Sequence, residues 1–246
     1  MSALVDFMVI GVQKAGTTAL FDHLGDEPGV ALSDVKEVHF FDDESLDWER
    51  PDYELYHRRF PSPDGRLRGE ATPIYAYWPS GLERIAAYNP AVRLVLMLRD
   101  PVERAWSHWR MEYARGVETE PFAWCIRQGR QRLFAAEPWG HHREFSYVER
   151  GFYGEQVDRL LRIFPRDQLL ILQAEALRTD PTQVLAELRA FLGLPGRSAQ
   201  VEAREVHVGR DVDRGLELTP ADAAYLREIY ARDRERLAEL VGAVAA

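Results

Sequence analysis

The chain's 246 residues, 46% hydrophobic and 29% charged, exclude a disordered polypeptide and suffice for one large α/β domain with a substantial core. A formal net charge of −9 excludes a general polyanion-binding surface, and with it bulk nucleic-acid binding, but leaves room for a local basic pocket that takes a small anion. The single cysteine, Cys125, excludes an internal disulfide and a cysteine-cluster metal site, and within Phe122 to Ile126 it reads as a buried helical residue.

In chain order, residues 4–10 are almost wholly apolar and predict a central parallel strand covered on both faces. The run has no basic segment ahead of it and is interrupted by Asp6. No apolar stretch approaches the roughly 20 residues that span a bilayer, so the expectation is a soluble, cytoplasmic protein with no membrane span. The chain then breaks at Gly11 and resumes as a helix from Thr17 to about Gly25. Strand, glycine loop and helix start together make an anion site, because the orphan N–H groups and the helix dipole both favour negative charge. The loop departs from the nucleoside-triphosphate pattern G-x-x-x-x-G-K-S/T. Gly11 and Gly16 keep the spacing, but Thr17 stands where the lysine belongs and Lys14 lies inside the loop. A lysine so placed suits a 5′-phosphate and the group attached to it rather than a triphosphate.

A short apolar piece, Val30 to Leu32, predicts a second strand that leads into Ser33 to Asp42, a loop on the same sheet edge as the first. Residues 53–60 read as a helix, and Leu67 to Pro73 as a short strand and turn. Ser80 to Glu83 has the form of a capping box for a helix ending near Asn89 and Pro90. Val92 to Leu98 predicts a second buried strand, after which Asp100 caps, Pro101 suits the first turn and Glu103 closes a second box. An apolar stripe from Phe152 to Phe164 marks a helix, Leu169 to Leu172 a last strand, and Asp180 to Gln183 another helix start. A loop over 193–218 precedes a final helix from Thr219 to about Val241. Alternating strands and helices predict a mainly parallel sheet with helices on both faces, its ligand site beyond the carboxyl ends of the strands.

Three constellations carry chemistry. Lys14, Ala15, Gly16, Thr17 and Thr18 form the phosphate loop, against the alternative of an ordinary turn with a polar surface. Arg99 follows a buried strand and Ser107 lies two helical turns on, so both suit a second anion; the alternative pairs Arg99 with Asp100 or Glu103. Arg104 and His108 read as surface or packing residues. Glu37, between Lys36 and His39, is placed to take a proton from an acceptor hydroxyl or amine, and a plain surface glutamate is its alternative. Histidine spacing matches no metal pattern, so no metal is expected.

The segments G-V-Q-K-A-G-T-T-A-L, K-E-V-H-F-F-D, G-E-A-T-P-I-Y and L-M-L-R-D-P-V-E-R-A-W-S-H-W together resemble the sulfotransferases that use 3′-phosphoadenosine 5′-phosphosulfate (PAPS). The likeness is greatest to the heparan sulfate 3-O- and N-sulfotransferase group, in the form of a soluble bacterial-type member. It implies a single domain over residues 1–246 with the fold of P-loop-containing nucleoside-triphosphate hydrolases. It also implies PAPS as donor, 3′-phosphoadenosine 5′-phosphate (PAP) as product, and a carbohydrate or small-molecule acceptor. By this resemblance Lys14 and its loop hold the 5′-phosphosulfate, Arg99 and Ser107 the 3′-phosphate, and Arg210 closes over the nucleotide. Glu37 matches the catalytic base, with His39 and Asp42 on the acceptor side.

Two departures matter: Thr18 stands in place of an arginine and Ala71 in place of a lysine of the heparan 3-O-enzymes. Both losses favour a neutral or smaller acceptor over a highly anionic glycosaminoglycan. Tyr75, Tyr77, Trp78, Trp106, Trp109 and Trp139 either line an acceptor cleft or pack the core. A kinase using ATP and a non-catalytic nucleotide-binding protein are the competing functions, and the displaced lysine argues against the first.

Overall fold

Phe7, Met8, Val9 and Ile10 are all fully buried, as a strand covered on both faces requires. In the computed structural model, which describes residues 4–136, 143–196, 200–204 and 216–242, this run is β1, Phe7–Gly11. The other strands are β2 (Val30–Leu32), β3 (Leu67–Ala71), β4 (Arg93–Leu98) and β5 (Leu169–Gln173). They form one parallel sheet in the order β2-β3-β1-β4-β5. The described helices are α1 (Thr17–Gly25), α2 (Tyr53–His57), α3 (Gly81–Tyr88), α4 (Pro101–Arg115), α5 (Phe122–Cys125), α6 (Tyr153–Ile163), α7 (Ala174–Thr179), α8 (Pro181–Leu192) and α9 (Pro220–Val241).

The chain divides into two compact units, Met1–Leu98 with Ile163–Val206 and Arg99–Arg162 with His207–Ala246. The first holds the whole sheet. From β1 the chain moves through α1 to β2 on one side, and from β3 through α3 to β4 on the other. Right-handed crossovers in opposite directions put the connecting helices on opposite faces of the sheet. Ligands in such sheets bind beyond the carboxyl ends of the strands, where the order reverses. There the register of β1 against β4 shifts between Val9 and Gly11, and the chain leaves for its loop with Val12 N–H donating to Met97 O at 2.8 Å.

The second unit is organised by α4. Asp100 caps it, accepting from Val102 N and Glu103 N at 3.0 Å each, and Pro101 sits in its first turn. Its inner face packs Val102, Ala105 and Trp109 with Cys125, Ile126, Tyr147, Leu226 and Tyr230. From α9, Asp233 accepts the Gly154 and Glu155 N–H groups at 2.8 and 3.0 Å, which satisfies the orphan donors at the start of α6. Cys125 is buried in this core, and burial pushes its thiol up to about 12, so it is an apolar packing residue.

Three local expectations are corrected. The helix expected over 53–60 stops at His57, where Arg59 and Phe60 turn back onto Tyr56 O and His57 O. Ser80 forms no capping box: it adopts φ 61° and its side chain makes no cap hydrogen bond. Glu103 closes no box either, because its carboxylate is taken by Arg99 at 3.1 Å. Among the described residues no helix is long and apolar enough to cross a membrane.

Candidate active site

Four non-glycine residues among those described have positive φ, and three of them are Lys14 (72°), Glu37 (65°) and His39 (56°). Left-handed backbone costs an ordinary residue about 1–3 kcal/mol and persists where its surroundings over-determine it. Here it marks two loops that leave one edge of the sheet. In the first, Gly16 is the N-cap of α1 at φ 80°, with no side chain capping the helix and no acidic residue in its first turn. A Cβ at Gly16 would meet nothing within 4 Å, so the positive φ and not crowding calls for glycine there. Lys14 is half-buried in this loop, and the Thr17 and Thr18 hydroxyls follow in sequence.

The second loop lies beside the first. Glu37 N–H donates to Ala71 O at 2.9 Å, and Ala71 is the register partner of Val9 in the neighbouring β1. What fixes this loop is its aromatic pair. Phe40 stacks on Tyr56 with centroids 5.0 Å apart, and Phe41 meets Tyr56 and Tyr75 edge-on at 5.1 and 5.6 Å. Both rings are buried, each contributing about 1.5–3 kcal/mol. Their insertion leaves Glu37 half-buried and His39 exposed, while Asp42 is fully buried.

The polar side chains form a chain of contacts. Lys36 Nζ donates to Glu37 Oε1, His39 Nε2 lies 3.6 Å from Glu37 Oε2, and His39 Nδ1 is 2.9 Å from Asp42 Oδ2. Burial raises the Glu37 carboxyl, but the His39 hydrogen bond and the Lys36 charge outweigh it and hold the group at about 2. His39 is raised to about 9, first by its bond to Asp42 and then by Glu37. At neutral pH Glu37 is therefore an ionised carboxylate beside a His39 imidazolium.

A carboxylate with no expected role stands behind them. Glu70, at the end of β3, is fully buried and accepts from the hydroxyls of Tyr56, Thr72 (2.6 Å) and Tyr75 (3.3 Å). Burial pushes it up to about 7 against those three donors, helped by the charge of Asp42. The signal was a carboxylate inside a short strand, Leu67–Ala71, of a parallel sheet that buries both faces.

In the second unit, Arg99 is paired with Glu103, the alternative weighed for it, and Ser107 is half-buried on α4. Arg104 and His108 are fully buried packing residues, the former donating to Tyr147 O. Tyr75, Tyr77, Trp78 and Trp109 are buried too. Arg210 and Trp139 lie outside the described residues.

Residues 4–221 match the family described as Sulfotransferase domain. The human heparan sulfate glucosamine 3-O-sulfotransferase 3B1 is 32% identical over 190 residues, which are 76% of this chain and 45% of that relative. The chain thus spans less than half the length of that relative. A crystal structure of a sulfotransferase from Alicyclobacillus acidocaldarius is similar over 97% of this chain and 96% of that one, with TM-score 0.82 and 26% identity. Mouse sulfotransferase SULT7A1, solved with PAP, has the same fold at TM-score 0.55 and 16% identity, covering 95% of this chain and 85% of that one.

Proposed function

Because the chain belongs to the sulfotransferase domain family, we propose that it transfers a sulfuryl group from PAPS to a hydroxyl or amine of a carbohydrate or small-molecule acceptor. The observation that carries this reading is the adjacency of the Lys14 loop to Glu37, through the Glu37 N–H bond to Ala71 and the pairing of Ala71 with Val9. A phosphate loop without the triphosphate lysine then stands beside a carboxylate kept ionised.

The loop's residues fit the donor. The uncapped start of α1 and the left-handed Gly16 offer N–H groups to a 5′-phosphate, with Lys14, Ala15, Gly16, Thr17 and Thr18 as its holders. Arg99, Ser107 and Arg210 would hold the 3′-phosphate and close over the nucleotide. When bound, PAPS supplies an activated S–O bond whose cleavage leaves PAP.

The chain's own residues do the rest. Glu37 takes the acceptor proton as the acceptor oxygen bonds to sulfur. Lys14 and the loop N–H groups take up the electron pair's charge on the departing 5′-phosphate oxygen. His39, held by Asp42, orients the acceptor beside Glu37. Lys36 must first leave Glu37 Oε1, since a carboxylate held at about 2 is too weak a base for the step. With Thr18 and Ala71 in place of cations, the acceptor is neutral or small rather than a polyanion.

The test is transfer of labelled sulfate from PAPS into an extract of the source organism, with mass identification of the product. A single labelled, sulfated product supports the reading. Magnesium-dependent phosphate transfer from ATP, with PAPS unused, overturns it.

A further inference from the structure

Between His39 and Asp42 the backbone is tied to one hydroxyl. Phe40 N–H donates to Tyr75 Oη at 3.1 Å and Phe41 N–H lies 3.5 Å from the same oxygen. That hydroxyl in turn donates to Glu70 Oε1 at 3.3 Å. A phenol has one proton to give and lone pairs to receive with, so the buried Glu70 fixes which way Tyr75 presents its acceptor side. Tyr75 itself comes from a rigid turn: Thr72 N–H donates to Val9 O, Tyr75 N–H to Thr72 O and Ala76 N–H to Ile10 O. Both Tyr75 and Glu70 are fully buried, as is Asp42. The brace therefore runs from β1 and β3, through Tyr75, to the two peptide units between His39 and Asp42.

We propose that Tyr75, aimed by Glu70, is a positioning residue for the transfer reaction: it holds the 37–42 loop so that His39 and Asp42 keep Glu37 in its left-handed conformation beside the phosphate loop. The reasoning rests on the role of Glu37 proposed above. A loop carrying two residues at positive φ, 65° and 56°, relaxes unless something external holds it, and the amide bonds to Tyr75 are such a hold. Tyr56 supplies the control, since its hydroxyl reaches the same Glu70 oxygen but bonds neither the Phe40 nor the Phe41 amide.

The experiment compares Tyr75→Phe with Tyr56→Phe by kinetics, PAP calorimetry and amide hydrogen exchange. Tyr75→Phe is expected to lower kcat about tenfold or more, since small misplacements of reacting groups cost that much, while PAP affinity holds within about twofold. Tyr56→Phe should keep kcat within about threefold although it loses a buried hydroxyl of the same kind. Exchange at the Phe40 amide should accelerate about tenfold or more in Tyr75→Phe and not in Tyr56→Phe. Equal losses of kcat in the two variants, or unchanged Phe40 exchange in Tyr75→Phe, would overturn the proposal. Should Tyr75→Phe not fold, the wild-type protein decides, because Phe40 must then exchange at least about tenfold more slowly than Val38. A wild type that transfers nothing from PAPS sinks the assigned reaction, whereas the exchange measurements judge the brace separately.

Discussion

Lys36 Nζ is hydrogen-bonded to Glu37 Oε1, so the proposed base is neutralised by its own neighbour in sequence while His39 stands 3.6 Å from its other oxygen. Together with the His39 contact, this pairing holds Glu37 in its ionised form.

Removing that lysine should raise the carboxyl. Glu37 is depressed from its ordinary 4.5 to about 2, so its contribution to stability is present above 4.5 and is lost as pH falls through about 2. In Lys36→Gln the Glu37 carboxyl, followed by carbon-13 NMR, should titrate about one pH unit higher. No movement would mean that Lys36 does not govern Glu37.

His39 has the opposite sign. Raised from 6.5 to about 9, first by Asp42 and then by Glu37, it contributes stability that is present below 6.5 and lost as pH rises through about 9. Asp42→Asn removes the larger cause, so NMR titration should find the imidazole near its ordinary range, roughly one unit or more lower. The alkaline decline in stability should shift down with it.

Lys14→Ala should weaken PAP binding about 10- to 100-fold by calorimetry, the size of a lost hydrogen bond to a charged group. Transfer should fall at least as far, because the lysine also meets the charge that develops on the leaving phosphate. Unchanged affinity with unchanged rate would remove Lys14 from the site.

Asp100→Ala strips the cap from α4, leaving the Val102 and Glu103 N–H groups without their 3.0 Å acceptor. The loss should be about 1 kcal/mol, read as a fall in Tm of about 2–4 °C for a chain of this size.

What was legible in the amino-acid sequence is what is local. The β1 run, its glycine loop and α1 follow from adjacent residues, and the bounds Thr17–Gly25 and Val30–Leu32 emerge as read. Asp100 and Asp180 cap as their spacing predicts, each bonding N–H groups two or three residues on. Ser80 does not, because the turn before it is tied to β1 by Ala76 N–H and Ile10 O, which sequence spacing does not encode. The same limit hid Glu70: its three hydroxyl donors come from α2 and from the turn after β3, and only the folded sheet brings them to one carboxylate. The bonds from the Phe40 and Phe41 amides to Tyr75 Oη are likewise tertiary, spanning more than thirty residues of sequence.

The central claim is that Glu37 accepts the acceptor's proton, and Glu37→Gln tests it most directly, since the amide keeps the shape and loses the base. With labelled PAPS and the authentic acceptor, transfer should fall by about a hundredfold or more while PAP affinity stays within about threefold of wild type. Transfer at the wild-type rate in Glu37→Gln would contradict the account.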